Sequence, residues 1–112
     1  MKIPYRIKII LKNLNPVNYL DILEAIEFEC PGIKDTFKFI KIQKSIMGIC
    51  EIELDINDDE KEFCDNLAKL ILDENEAVCD IQIQLTNLSI NPVKKFTYGA
   101  MNYEQTKQKE YT

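Results

Sequence analysis

The feature that most constrains this chain is a rhythm of apolar and polar side chains that changes period along its length. In residues 5–12, Tyr5, Ile7, Ile9 and Leu11 fall on one side, and Arg6, Lys8, Ile10 and Lys12 on the other. That alternation is the pattern of a strand with one buried face. Asn15-Pro16 then supplies a helix cap followed by proline at the first helical position. Tyr19, Ile22, Leu23, Ile26 and Cys30 recur at helical spacing until Pro31-Gly32 stops the helix. Residues 36–43 and 48–56 read as two further strands. In the second, Cys50, Ile52, Leu54 and Ile56 face inward and Glu51, Glu53 and Asp55 outward. The first opposes Phe37 and Phe39 to Lys38, Ile40 and Ile42; with no clean polar face, it suits an edge strand. Asn57-Asp58-Asp59-Glu60 has the spacing of a capping box with Asn57 at the cap. It opens a second helix over 58–72, with Phe63, Cys64, Leu67, Ala68, Leu70 and Ile71 as its apolar stripe. Residues 78–86 form the last strand, with Cys79, Ile81, Ile83 and Leu85 inward.

This order of elements resembles the ferredoxin-like βαββαβ plan. The resemblance implies an α+β sandwich: a four-stranded antiparallel sheet in strand order 4-1-3-2, with both helices on one face. The Pro31-Gly32-Ile33 step into the second strand fits it. Residues 1–90 then make one sandwich domain, and 91–112, polar and rich in Lys, Gln and Tyr, a C-terminal tail or arm. In size and element order the chain is also similar to the small subunit of bacterial formylglycinamidine ribonucleotide synthase. Tyr5-Arg6-Ile7-Lys8-Ile9 and Glu62-Phe63-Cys64-Asp65-Asn66-Leu67 carry that resemblance, while the family's Asp-Pro-Gln-Gly turn has no counterpart here.

Composition removes much chemistry. Among 112 residues there is no His, so no imidazole base and no His metal ligand; Arg6 is the sole arginine. Cys30, Cys50, Cys64 and Cys79 are too widely spaced for a paired-ligand zinc motif and read as buried free thiols. Gly32, Gly48 and Gly99, the only glycines, make no phosphate loop. Asp55-Ile56-Asn57-Asp58-Asp59 opens like a calcium loop, but Glu60 stands where such a loop needs Gly and Asn66 where it needs Glu. The third strand, Gly-Ile-Cys-Glu-Ile-Glu-Leu, lacks the aromatic signature of an RNA-binding sheet. The expectation is no catalytic site, no cofactor and no metal. No apolar run exceeds three residues, and the N-terminus has no signal-peptide core, so the sequence reads as cytoplasmic with no membrane contact.

Charge is segregated. Residues 43–90 carry 12 acidic and 3 basic groups, whereas the flanking segments are each net positive by two. Such a surface repels nucleic-acid phosphates and attracts basic protein surfaces. The expected function is a non-catalytic protein-binding module: a small inhibitory, regulatory or immunity-type protein of the kind phages and mobile elements encode. Its contact set is Glu51, Glu53, Asp58, Asp59, Glu62 and Asp65, with Phe96, Tyr98 and Tyr103 as aromatic anchors. The expected partner is a protein with a basic surface, not nucleic acid. A homodimer would protect the open sheet face and edges. The alternative is a small-molecule-sensing or oligomerising accessory subunit of a larger enzyme.

Overall fold

The computed structural model describes residues 1–42, 44–76, 79–90 and 93–99. The chain is α+β: a five-stranded antiparallel sheet and two α-helices. Strand β1 spans Lys2–Lys12, helix α1 Tyr19–Glu29, β2 Lys38–Ile40, β3 Ser45–Asp55, α2 Glu60–Asn75, β4 Asp80–Asn87 and β5 Val93–Tyr98; short 3-10 turns at Pro16–Asn18 and Lys34–Thr36 flank α1. The sheet order is β2-β3-β1-β4-β5. No helix among the described residues is long and apolar enough to cross a membrane.

Strand β1 is central because its two faces differ. Tyr5, Ile7, Ile9 and Leu11 point into the core, and the antiparallel registers stack them beside Ile52, Cys50, Gly48 and Ile46 of β3. On the other side Ile7, Ile9 and Leu11 meet Leu85, Ile83 and Ile81 of β4. Ile22, Leu23 and Ile26 of α1 and Cys64, Leu67, Ala68 and Ile71 of α2 close the core from above. Each such aliphatic side chain contributes about 1.5–3 kcal/mol by leaving water. The opposite sheet face carries Arg6, Lys8 and Lys12 along β1, interrupted by Ile10 across from Met47; Arg6 lies across from Glu51 and Thr86, and Lys12 across from Ser45 and Asp80.

Three sequence expectations are corrected. The sheet has five strands, not four. Val93–Tyr98, expected in the tail, pairs along β4 with Phe96 opposite Ile83 and Tyr98 opposite Ile81. Its pattern is hidden because Lys94, on the same side as Phe96 and Tyr98, is held there by Glu60 through an ion pair. Second, the cap of α2 is Asp59, whose Oδ1 accepts from Lys61 N (2.9 Å) and Glu62 N (3.2 Å). Asn57 is instead used in the turn leaving β3, where its N–H donates to Asp55 Oδ1. Third, β2 is three residues long rather than the eight of 36–43. Thr36 belongs to the preceding 3-10 turn, and its Oγ1 takes the Ile49 N–H (2.9 Å) that a continued β2 would have bonded.

Phe37 closes that short strand against β3 by lying on Gly48. A Cβ at position 48 would fall 2.9 Å from three atoms of the Phe37 ring. Gly48→Ala is therefore expected to cost about 1 kcal/mol by overpacking, and nothing in a Phe37→Ala background. Urea unfolding of the two single variants and the double variant measures this; strictly additive losses would show that the ring does not rest on Gly48.

Candidate functional site

Among the described residues, the short β2 leaves part of the outer edge of β3 without a neighbouring strand, and the turn at Lys34–Thr36 reaches it only at Ile49 through a hydrogen bond. Ile49 N donates to Thr36 Oγ1, and Asp55 N donates to Asp58 Oδ2 at 2.7 Å. Both bonds run away from β1, so the odd-numbered residues of β3 turn their backbone groups to the outer edge, as antiparallel pairing requires. Strand β2 occupies that edge only at Ser45, Ile46 and Met47. Among the described residues no strand covers Ile49 to Glu53. Glu51 and Glu53 each present an N–H and a C=O there, with their carboxylates exposed on the open sheet face.

A groove of about 470 Å³ at this part of β3 is lined by Glu51, Ile52 and Glu53, by Pro4 of the adjoining β1, and by Glu29 and Pro31. Its far wall is the end of α1 and the turn after it. Glu27 fixes that turn: its carboxylate accepts from Gly32 N (2.7 Å) and Lys34 N (2.9 Å). These backbone donors hold the Glu27 carboxyl below its usual value. Glu29 also borders a second cleft of about 230 Å³, whose floor is Phe63, Leu67 and Leu70.

The six acids expected to act together divide by what else they hold. Glu51 and Glu53 lie on the open sheet face, and Glu51 is 3.6 Å from Arg6 Nη2, with both side chains more than half exposed. Such an exposed pair contributes little. Glu62 is exposed on the first turn of α2. Asp58 and Asp59 are exposed, but Asp58 accepts from the N–H of Asp55 at the end of β3, and Asp59 from the N–H groups of Lys61 and Glu62 in the first turn of α2. Asp65 accepts from Lys61 Nζ (2.7 Å) and from the Tyr98 hydroxyl (2.6 Å). Partial burial alone would raise the Asp65 carboxyl, but these two donors outweigh it and leave it low.

The aromatic residues assigned as anchors lie differently from the acids. Phe96 and Tyr98 are half-buried against the core of their own chain. Burial and the Asp65 carboxylate push the Tyr98 hydroxyl far up. Tyr103 lies outside the described residues. Sequence reasoning missed Glu60, whose carboxyl is held low by Lys94 first and also by Tyr5, against the opposing effect of partial burial. The signal available was the period-two placement of Lys94, Phe96 and Tyr98.

Cys30, Cys64 and Cys79 are buried and Cys50 is half-buried; none is in a disulfide. Burial pushes the Cys64 thiol up to about 12 and Cys79 up to about 11, with Asp65 and Asp80 adding to the respective shifts. Cys30 and Cys50 move in the same direction, again chiefly by burial. Thiols held protonated in this way are poor nucleophiles and poor ligands. Among the described residues no group of three or more Cys, Asp or Glu side chains converges as a metal site. Comparison of the chain with protein-family models, with curated proteins and with solved structures finds no match.

Proposed function

We propose that this protein is a non-catalytic protein-binding module, a ferredoxin-like sandwich with one added edge strand, that holds a partner with a basic surface. It would act as an inhibitory, regulatory or immunity-type protein. The observation that carries this reading is the acidity of one continuous stretch, from Glu51 on β3 through the β3–α2 connection to Glu62. It holds seven carboxylates and one lysine, Lys61. A field of one sign over such a surface steers and selects an oppositely charged partner.

The test uses only acids that do not hold the fold. Among the described residues the side chains of Glu53 and Glu62 make no hydrogen bond or ion pair, and that of Glu51 has only its exposed contact with Arg6. The triple variant Glu51→Lys, Glu53→Lys, Glu62→Lys is expected to keep wild-type stability within about 0.5 kcal/mol. It should lose capture of basic proteins from lysate by at least about tenfold. Mass spectrometry of what wild type and variant retain at equal salt measures this. The same proteins retained in the same amounts would overturn the reading.

A further inference from the structure

We propose that the stretch of β3 that no strand among the described residues covers, residues 49–53, accepts an extended lysine- or arginine-bearing segment of the partner as an added strand. This rests on the acidic-capture reading and states how that surface would bind. The main-chain groups needed are already aligned. Glu51 and Glu53 offer an N–H and a C=O each to the outer edge, bracketed by Thr36 Oγ1 on Ile49 N and Asp58 Oδ2 on Asp55 N. An incoming strand would bond both glutamate positions in the alternating pattern of an antiparallel or parallel ladder.

The groove suits such a strand on both of its faces. Side chains pointing toward the open sheet face would lie beside Glu51 and Glu53. Those pointing toward the helices would meet Ile52 and Pro31, with Glu29 at the rim. Acids therefore border the strand on both sides, which favours a basic segment over a neutral or acidic one. The same acids disfavour a second copy of this edge. In the antiparallel two-fold registers centred on residues 51, 52 or 53, Glu51 or Glu53 falls opposite Glu51 or Glu53, and like charges directly opposed destabilise a sheet. Strand β5 of a second copy carries Lys94 and Lys95. Its addition here would be head-to-tail and would grow without closing.

Amide hydrogen exchange on the wild-type protein tests this. The probe is a blocked octapeptide of alternating lysine and valine, with a glutamate–valine octapeptide as control. In the free protein the Glu51 and Glu53 amides should exchange fast. The lysine peptide at millimolar concentration should slow both by at least about tenfold, leaving Cys50 and Ile52, already bonded to β1, unchanged. Unchanged exchange at 51 and 53 overturns the proposal, as does growth of large assemblies by the protein alone in light scattering.

A variant pair separates this inference from the reading beneath it. Glu53→Gln removes the charge and keeps the N–H. Glu53→Pro removes both, at an outward-facing edge position where proline leaves the ladder to β1 intact. Added-strand binding predicts that Glu53→Pro loses about tenfold more affinity for the lysine peptide than Glu53→Gln. Equal losses would keep acidic capture and overturn the added strand. No loss in either variant, nor in the triple lysine variant, would overturn acidic capture itself.

Discussion

Tyr98→Phe is expected to lower the stability of the protein by about 2 kcal/mol, within the range for one hydrogen bond to a charged acceptor, and to release β5 before the rest of the sheet. The Tyr98 hydroxyl donates to Asp65 Oδ1 at 2.6 Å, and the ion pair from Lys94 to Glu60 makes a second tie from β5 to α2. Strand β5 is an edge strand of six residues, so these side-chain ties are a large part of what holds it. In native-state hydrogen exchange the variant should lose protection along β5 while β1 keeps it; a uniform loss over all five strands would show that β5 is not a separable unit. The pH dependence follows from the same groups. Asp65 and Glu60 are more acidic folded than unfolded. Their contribution is therefore complete above the unfolded carboxyl value of about 4 and is lost as pH falls through the folded values. Tyr98 is raised, so its contribution is complete below the unfolded value of about 10 and is lost as pH rises beyond it. Wild-type β5 should loosen at both extremes, and Tyr98→Phe should flatten the alkaline side.

What the sequence disclosed and what it withheld have a common physical origin. Strands β1 and β4 were legible because each has one face under the helices and the other turned away from them, so Ile7, Ile9, Ile81 and Ile83 alternate with residues that are polar apart from Ile10. Strand β5 escaped notice because a lysine occupies an inward position that a neighbouring element neutralises, and no local pattern reports that. The carboxylates were visible as composition, but the edge that no strand among the described residues covers was not. An edge is the lack of a neighbour, and β2 is short for tertiary reasons: Thr36 Oγ1 replaces a strand carbonyl, and Phe37 needs the bare surface of Gly48. For the same reason Asp65 and Tyr98, read separately as contact residues, proved to be partners of each other.

Asn75→Ala is expected to cost about 3 kcal/mol, more than any surface change discussed above, because it strands a hydrogen-bonding group inside the protein. Asn75 is the last residue of α2 and is wholly buried, unusual for a primary amide. Its Oδ1 accepts from Asn15 N at 2.6 Å, and its backbone carbonyl accepts from Asn18 Nδ2 at 3.0 Å. The residue thus clamps the end of α2 to the connection between β1 and α1, where Asn15 is itself the cap of the turn at Pro16–Asn18. Alanine would leave the Asn15 N–H without its acceptor and open a small cavity at the junction of two helices. Asn18→Ala removes only the outer bond and should cost about 1 kcal/mol. Urea unfolding with unchanged m-values reports both losses directly. If Asn75→Ala fell within about 1 kcal/mol of wild type, the clamp would have to be carried by packing between α1 and α2, and the amide would be replaceable by any side chain of its volume.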